Sequence, residues 1–225
     1  PPRSTPKPSS AASDVYKRQD PYTLKVILGE DEELVVSSDK FIIATGSKPY
    51  RPGFVPFDGV SIFDSDEILN MKRAPKSIAV IGGGVIGVEY ATIFSALDIP
   101  VTLIESRDTI LDFVDQEIIA TLLHELRDRG VVLRLGTAIE EITRVKNGRC
   151  KITLKSGRLI RSDMVLFAAG RYGATGELGL EDVGIVPDDR GRLSVDEKTF
   201  QTDVPHIYAV GDIIGFPSLA STSME

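Results

Sequence analysis

Ile78-Ala79-Val80-Ile81-Gly82-Gly83-Gly84-Val85-Ile86-Gly87-Val88-Glu89-Tyr90 is the stretch that decides the fold. Its first four residues are continuously apolar, as in a parallel strand covered on both faces. Glycines follow, and then a segment whose apolar residues Ile86, Tyr90, Ile93, Phe94 and Leu97 recur at helical spacing. Gly-x-Gly-x-x-Gly alone is a weak signal, because glycine is common in turns. Here it follows a buried strand, opens a helix, and precedes a second apolar strand, 101–104, that ends at Glu105, 18 positions after Gly87. That is the arrangement of a dinucleotide-binding fold. In it Gly82 makes the tight turn, Gly84 lets the backbone approach a pyrophosphate at the helix N-terminus beside Val85 and Ile86, and Gly87 lets helix and strand pack closely.

Glu105 is then expected to accept hydrogen bonds from the adenosine ribose hydroxyls. A carboxylate there repels a 2′-phosphate and leans the site towards NAD over NADP. Ser106 is neutral and Asp112 acidic, so Arg107 is the nearby cation that could hold such a phosphate.

Working outward from the fingerprint, Asp115 caps a second helix with Ile118, Ile119, Leu122, Leu123 and Leu126 on one face and Gly130 past its end. A third strand, 131–133, follows. The period then changes to two over 142–145, 150–154 and 159–161, with turns at Asn147-Gly148 and Ser156-Gly157, which predicts an antiparallel meander. A buried strand, 164–167, runs into Ala168-Ala169-Gly170-Arg171, and Gly170 at its carboxyl end joins the candidate nucleotide-binding residues. Upstream, Asp64 is placed to cap a short helix with Glu67 in the capping-box position. Pro49, Pro52 and Pro56 read as a stiff linker between domains, and 41–44 as a buried strand running into Thr45-Gly46-Ser47. Residues 22–28 and 33–37 predict a hairpin around the acidic turn Gly29-Glu30-Asp31-Glu32.

Composition narrows the function classes. The 225 residues carry 26 Lys+Arg against 33 Asp+Glu, a formal charge of −7 that argues against a sequence-independent nucleic-acid binder. The longest apolar stretch, 78–88, is broken by glycines and stops at Glu89, short of a bilayer span, so no membrane partner is expected. One cysteine, Cys150, excludes an intrachain disulphide framework and a cysteine-rich zinc site; His124 and His206 are too far apart for metal-ligand spacing, so no metal is expected. This composition fits a reducing cytoplasm. Residues 1–19 hold four prolines, four serines and four basic residues against Asp14, and are expected to be disordered and non-native in origin. Their charge of +3 leaves −10 on the remainder. Cys150 reads as a small hydrophobe in a strand, His124 as a helix-surface residue and His206 as a loop residue.

Near the other end, Thr202-Asp203-Val204-Pro205-His206-Ile207-Tyr208-Ala209-Val210-Gly211-Asp212 places a short strand, 207–210, before a Gly-Asp pair, where ligands of such sheets collect. Together with Ala44-Thr45-Gly46 and the glycine fingerprint, this order of motifs resembles the two-dinucleotide flavoprotein disulphide reductase family over residues 20–225. The resemblance implies an α/β fold: a Rossmann-like NAD(P)-binding domain, 57–172, with a parallel sheet and an antiparallel meander. That domain would be inserted in an incomplete FAD-binding domain formed by 20–56 and 173–225. By it Ala44, Thr45 and Gly46 lie along FAD, Gly211 and Asp212 meet its ribityl chain, and Leu219 and Ala220 border the flavin ring. Glu89, one turn into the fingerprint helix, matches the family glutamate beside the nicotinamide and is the candidate catalytic residue.

Within that family the strings Gly46-Ser47-Lys48-Pro49-Tyr50-Arg51-Pro52, Phe63-Asp64-Ser65-Asp66-Glu67-Ile68-Leu69, Asp115-Gln116-Glu117 and Gly215-Phe216-Pro217-Ser218-Leu219-Ala220-Ser221 resemble the soluble transhydrogenase branch. The implied reaction passes hydride from NADPH to FAD and on to NAD. Two alternatives stand beside it: an NAD-linked dithiol reductase, whose second-strand glutamate resembles Glu105, and a nucleotide-binding module without catalysis. The resemblance also places a first FAD fingerprint and a redox-active region before residue 20, and an interface domain that makes the parent a homo-oligomer after residue 225. This stretch alone is therefore expected to be inactive.

Overall fold

The computed structural model describes residues 16–28, 32–145, 148–215 and 218. The chain forms two units, one from the stretches up to Lys48 and from Arg171 onward, the other running from Pro49 to Gly170.

In the first unit β1 (Tyr16–Asp20), β2 (Thr23–Leu28) and β3 (Glu32–Ser37) make an antiparallel sheet with β2 central. Tyr16 pairs with Val26 and Arg18 with Leu24, which corrects the expectation of disorder through residue 19: the open edge of β2 recruits the segment as a strand. Residues 29–31 of the expected turn and residues 1–15 lie outside the described residues. β4 (Phe41–Ile43) and β5 (Ser47–Pro49) follow.

The second unit is built on five parallel strands. β6 (Ile62–Asp64) leads to a 3₁₀ turn at Glu67–Asn70, then come β7 (Ile78–Ile81), α1 (Val85–Ala96), β8 (Val101–Ile104), α2 (Gln116–Asp128) and β9 (Val132–Arg134). The meander is β10 (Ile139–Arg144), β11 (Cys150–Leu154) and β12 (Leu159–Ser162), and β13 (Met164–Phe167) completes the sheet in the order β6-β13-β7-β8-β9. Alternation explains the continuous apolar runs. Ile78, Val80, Leu103 and Leu166 face the helices through Ala91, Phe94, Ile119 and Leu126, whereas Ala79, Ile81, Val165 and Phe167 face Ile142, Cys150, Ile152 and Leu154 of the meander.

Some details differ from the sequence reading. The buried side of α1 is Gly87, Val88, Ala91, Phe94 and Ser95, while Ile93 is 51% and Leu97 64% exposed. Close approach of this helix to the sheet near its start admits Gly87 and Ala91, while Val88 and Phe94 fill the space around them. On α2 the Asp115 carboxylate accepts from the Glu117 N–H as expected, and Ile118 turns outward. Asp64 is the last residue of β6; its Oδ1 accepts from the Asp66 and Glu67 N–H groups, but Glu67 makes no capping box because its Oε1 takes the Arg51 guanidinium at 2.7 Å. The expected linker is packed: Tyr50, Phe54 and Phe57 surround Phe167, so the second unit begins at Pro49 and not at 57.

The chain then returns through β14 (Arg171–Gly173), paired with β5, and β15 (Ile207–Ala209), which lies parallel to β4 with Ile207 opposite Phe41 and Ala209 opposite Ile43. Phe41 and Ile43 are buried, and Ile43 packs with Leu180, Leu193, Ile207 and Ile213. Ile42 is 71% exposed, so the strand expected to be buried throughout is covered on one face.

Candidate functional site

The glycine turn places a narrow bend at the carboxyl end of β7. Gly82 has φ +114, and a Cβ there would overlap the Ala168 carbonyl at the end of β13. A Cβ on Gly87 would overlap the Gly82 carbonyl. Gly84 differs: it caps α1 with extended backbone, and a Cβ on it would meet nothing within 4 Å. The first N–H groups of a helix have no partner inside it, so those of Val85, Ile86 and Gly87 face the loop end with a partial positive charge. An anion of pyrophosphate type fits this opening. Gly170, with φ +125, stands at the same end of the sheet and its carbonyl accepts from the Tyr50 N–H.

Glu105 follows β8 and is 5% exposed. Its Oε2 accepts from the Gly83 N–H at 2.5 Å and from Arg107 Nη2 at 3.2 Å. Its Oε1 accepts from Ser106 Oγ at 3.0 Å, the Arg107 N–H at 2.9 Å and Arg107 Nε at 3.2 Å. Five donors thus fill a group with about four acceptor positions. Burial pushes this carboxyl up, but the Arg107 side chain and the Arg107 and Gly83 N–H groups outweigh it and hold the group below the ordinary glutamate range. The same contacts raise the Arg107 guanidinium, with Glu105 the largest cause. Arg107 Nη1 also lies 2.7 Å from Asp112 Oδ1. The residue expected to meet a ribose is therefore also the strut that ties the glycine turn to the next loop. The middle glycine shows why: a Cβ on Gly83 would press on Ile110 and Glu105 at 2.9–3.0 Å.

Glu89 is exposed on α1. Tyr90 beside it stacks on Phe94, and burial, then the charges of Asp66 and Glu89, raise its phenol. Cys150 is fully buried, its Sγ 3.6 Å from the Ser61 carbonyl, and burial pushes the thiol up to about 11. It is inert packing, as its strand position suggests. His124 is a surface residue beside Asp128, whereas His206 is more engaged than a loop residue: its ring stacks on Tyr22 and its Nε2 is 2.6 Å from the Pro21 carbonyl. No cluster of potential metal ligands occurs among the described residues.

In the first unit the carboxyl ends of the parallel pair β4 and β15 bring Ala44, Thr45 and Gly46 beside Gly211 and Asp212. The Val210 N–H donates to the Ile43 carbonyl, and the Thr45 hydroxyl donates to the Ala174 carbonyl. One connection was not legible from sequence. Arg171 Nε donates to Ser47 Oγ at 2.8 Å and its Nη2 to the Ser47 carbonyl at 2.7 Å, while Ser47 Oγ donates to Asp212 Oδ2 at 2.9 Å. These three residues lie 124 and 165 positions apart in pairs, so no local pattern announces them. Leu219 and Ala220 lie outside the described residues.

Comparison with known proteins agrees with this layout. The sequence profile described as pyridine nucleotide-disulphide oxidoreductase matches residues 11–225. A soluble pyridine nucleotide transhydrogenase of Mycobacterium bovis (BCG Pasteur) is 49% identical over 92% of this chain and 44% of its own length. One of Chromohalobacter salexigens is 45% identical over 94% and 45%. The chain spans less than half the length of these curated relatives. Among solved structures, a copper complex of the HOCl-induced flavoprotein disulphide reductase RclA from Escherichia coli superposes with TM-score 0.84 at 29% identity, covering 93% of this chain and 47% of that one. LpdA from Mycobacterium tuberculosis gives 0.85 at 27%, covering 93% and 46%. No helix among the described residues is long and apolar enough to cross a membrane.

Proposed function

The chain belongs to the pyridine nucleotide-disulphide oxidoreductase family, and from that footing we propose that it is the nucleotide-handling part of a flavin-dependent transhydrogenase that moves hydride between NADPH and NAD. The carrying observation is the unfilled side of Gly84 at the start of α1, with the Arg107 cation just past the next strand. An anionic pyrophosphate fits that combination of free N–H groups and space. Gly82, Gly84, Val85, Ile86 and Gly87 would hold it, with Glu105, Ser106, Arg107 and Gly170 around the adenosine side. Glu89, exposed one turn along α1, would stand on the nicotinamide side.

In the first unit Ala44, Thr45, Gly46, Gly211 and Asp212 would hold part of FAD. Flavin supplies two-electron acceptance and release when bound; this chain's part is to bind and orient. Ser47 and Arg171 fix the direction of the Asp212 carboxylate. The relatives at 45–49% identity are named transhydrogenases, whereas the RclA disulphide reductase structure stands at 29%, which supports hydride exchange over dithiol reduction. The test is titration of the 225-residue chain with NADH, together with NADPH-dependent reduction of an NAD analogue by a longer flavin-loaded protein carrying this sequence. Binding without hydride exchange would leave only a nucleotide-binding module.

A further inference from the structure

Arg107 divides its guanidinium between two carboxylates of unlike character. Nε and Nη2 lie 3.2 Å from the oxygens of Glu105, which is buried and also bound to the glycine turn. Nη1 lies 2.7 Å from Oδ1 of Asp112, whose side chain is half exposed. We propose that Asp112 is a specificity-determining residue, a resident anion that competes with an adenosine 2′-phosphate for Arg107. This rests on reading Gly82–Gly87 as a nicotinamide-dinucleotide site.

The argument is one of position and displaceability. Arg107 is two residues past the carboxylate that ends the second strand, where the adenosine ribose of a dinucleotide fold lies. Exchanging the Glu105 contacts would leave a buried carboxylate short of donors. The Asp112 contact can be exchanged, because an ion pair between exposed groups holds weakly. A phosphate, with nearly two negative charges and three acceptor oxygens, suits the planar guanidinium fork better than one carboxylate oxygen does. Asp112 thus opposes NADPH twice: it neutralises the Nη1 end of Arg107 and leaves a negative charge beside the phosphate. NADH presents a hydroxyl there and is indifferent to both. Glu105 sets the shape of the loop, and Asp112 sets how much of Arg107 is on offer.

The experiment is isothermal titration of the 225-residue chain and its Asp112→Asn and Asp112→Lys variants with NADPH and NADH at low salt. Asp112→Asn should lower the NADPH Kd about five- to tenfold and leave the NADH Kd within about twofold, since only a screened charge is removed. Asp112→Lys should go further in the same direction. At about 1 M salt, where charges are screened beyond ~3 Å, the gain should shrink, and Arg107→Ala should remove most of it, leaving only the direct repulsion by Asp112. Equal change for both nucleotides, or a gain that survives both high salt and Arg107→Ala undiminished, overturns the proposal. Wild-type chain that binds neither nucleotide overturns the nucleotide-site reading itself, so the two failures are distinguishable.

Discussion

Replacing Glu105 by alanine removes the acceptor of five hydrogen bonds and leaves one donor with no route to water. The magnitude follows from where each donor ends up. The Gly83 N–H is buried and loses its partner, a desolvation penalty of ~1–3 kcal/mol. Arg107 is nearly half exposed and keeps Asp112, so its loss is that of a screened ion pair, about 0.2–1 kcal/mol. Ser106 Oγ and the Arg107 N–H can turn to solvent at little further cost. The total is about 1–4 kcal/mol, which in a unit of this size lowers the melting temperature by roughly 5–15 °C. Because the chain has two units, bulk unfolding mixes two transitions; hydrogen exchange of peptides covering Ile78–Ile81 and Val101–Ile104 isolates the unit concerned. Acidity gives a second readout. The Glu105 carboxyl is held below its ordinary value by Arg107 and the Gly83 N–H against burial. Its stabilisation is therefore complete above the unfolded value near 4.5 and is lost as pH falls through the lower folded value. The Glu105→Ala unit should lack that part of the acid limb. A loss below about 1 kcal/mol with an unchanged acid limb would refute the strut, and would leave Glu105 free for the ribose alone.

Three other expectations are independent of it. Gly84→Ala should leave stability within about 0.5–1 kcal/mol, since its Cβ meets nothing, yet raise the NADH Kd at least about tenfold by filling the pyrophosphate approach; Gly87→Ala should instead cost ~1–3 kcal/mol or more, because its Cβ overlaps the Gly82 carbonyl, and equal stability of the two variants by urea unfolding would contradict the geometry. Cys150 should not react with a disulphide reagent at pH 8 until the unit unfolds, given a buried thiol near 11, and rapid native-state labelling would show the meander to be open. Ser47→Ala should weaken flavin retention by about tenfold in a longer protein carrying this sequence, through the freed Asp212, with NADH binding by the Gly82–Gly87 unit unchanged; a loss of both would point to general unfolding.

What could be read from the residues, and what could not, divides along the distance over which each constraint acts. The strand 78–81, the glycine turn and the capped α2 are local: periodicity and backbone sterics specify them within one window, and the α/β fold with its parallel sheet follows. The inner face of α1 was misread because helical periodicity ranks residues by hydrophobicity. Contact of Gly87 with the Gly82 carbonyl fixes the rotation of the helix instead, putting Ala91, Phe94 and Ser95 inside and Ile93 and Leu97 out. Pro49–Phe57 looked like a linker because proline marks stiffness. Whether a stiff segment is free depends on a partner elsewhere in the chain, here Phe167. The charged network was the least legible. Composition places Arg107, Glu105 and Asp112 within eight positions, but not which oxygen each nitrogen faces. The same three charges could have left Glu105 open to a ribose and Arg107 open to a phosphate. Instead the turn's own N–H claims Glu105, and Glu105 then holds two of the Arg107 nitrogens. On the proposed reading, nucleotide preference in this loop is a competition among groups already present, and a substitution such as Asp112→Asn would act by changing what Arg107 must release.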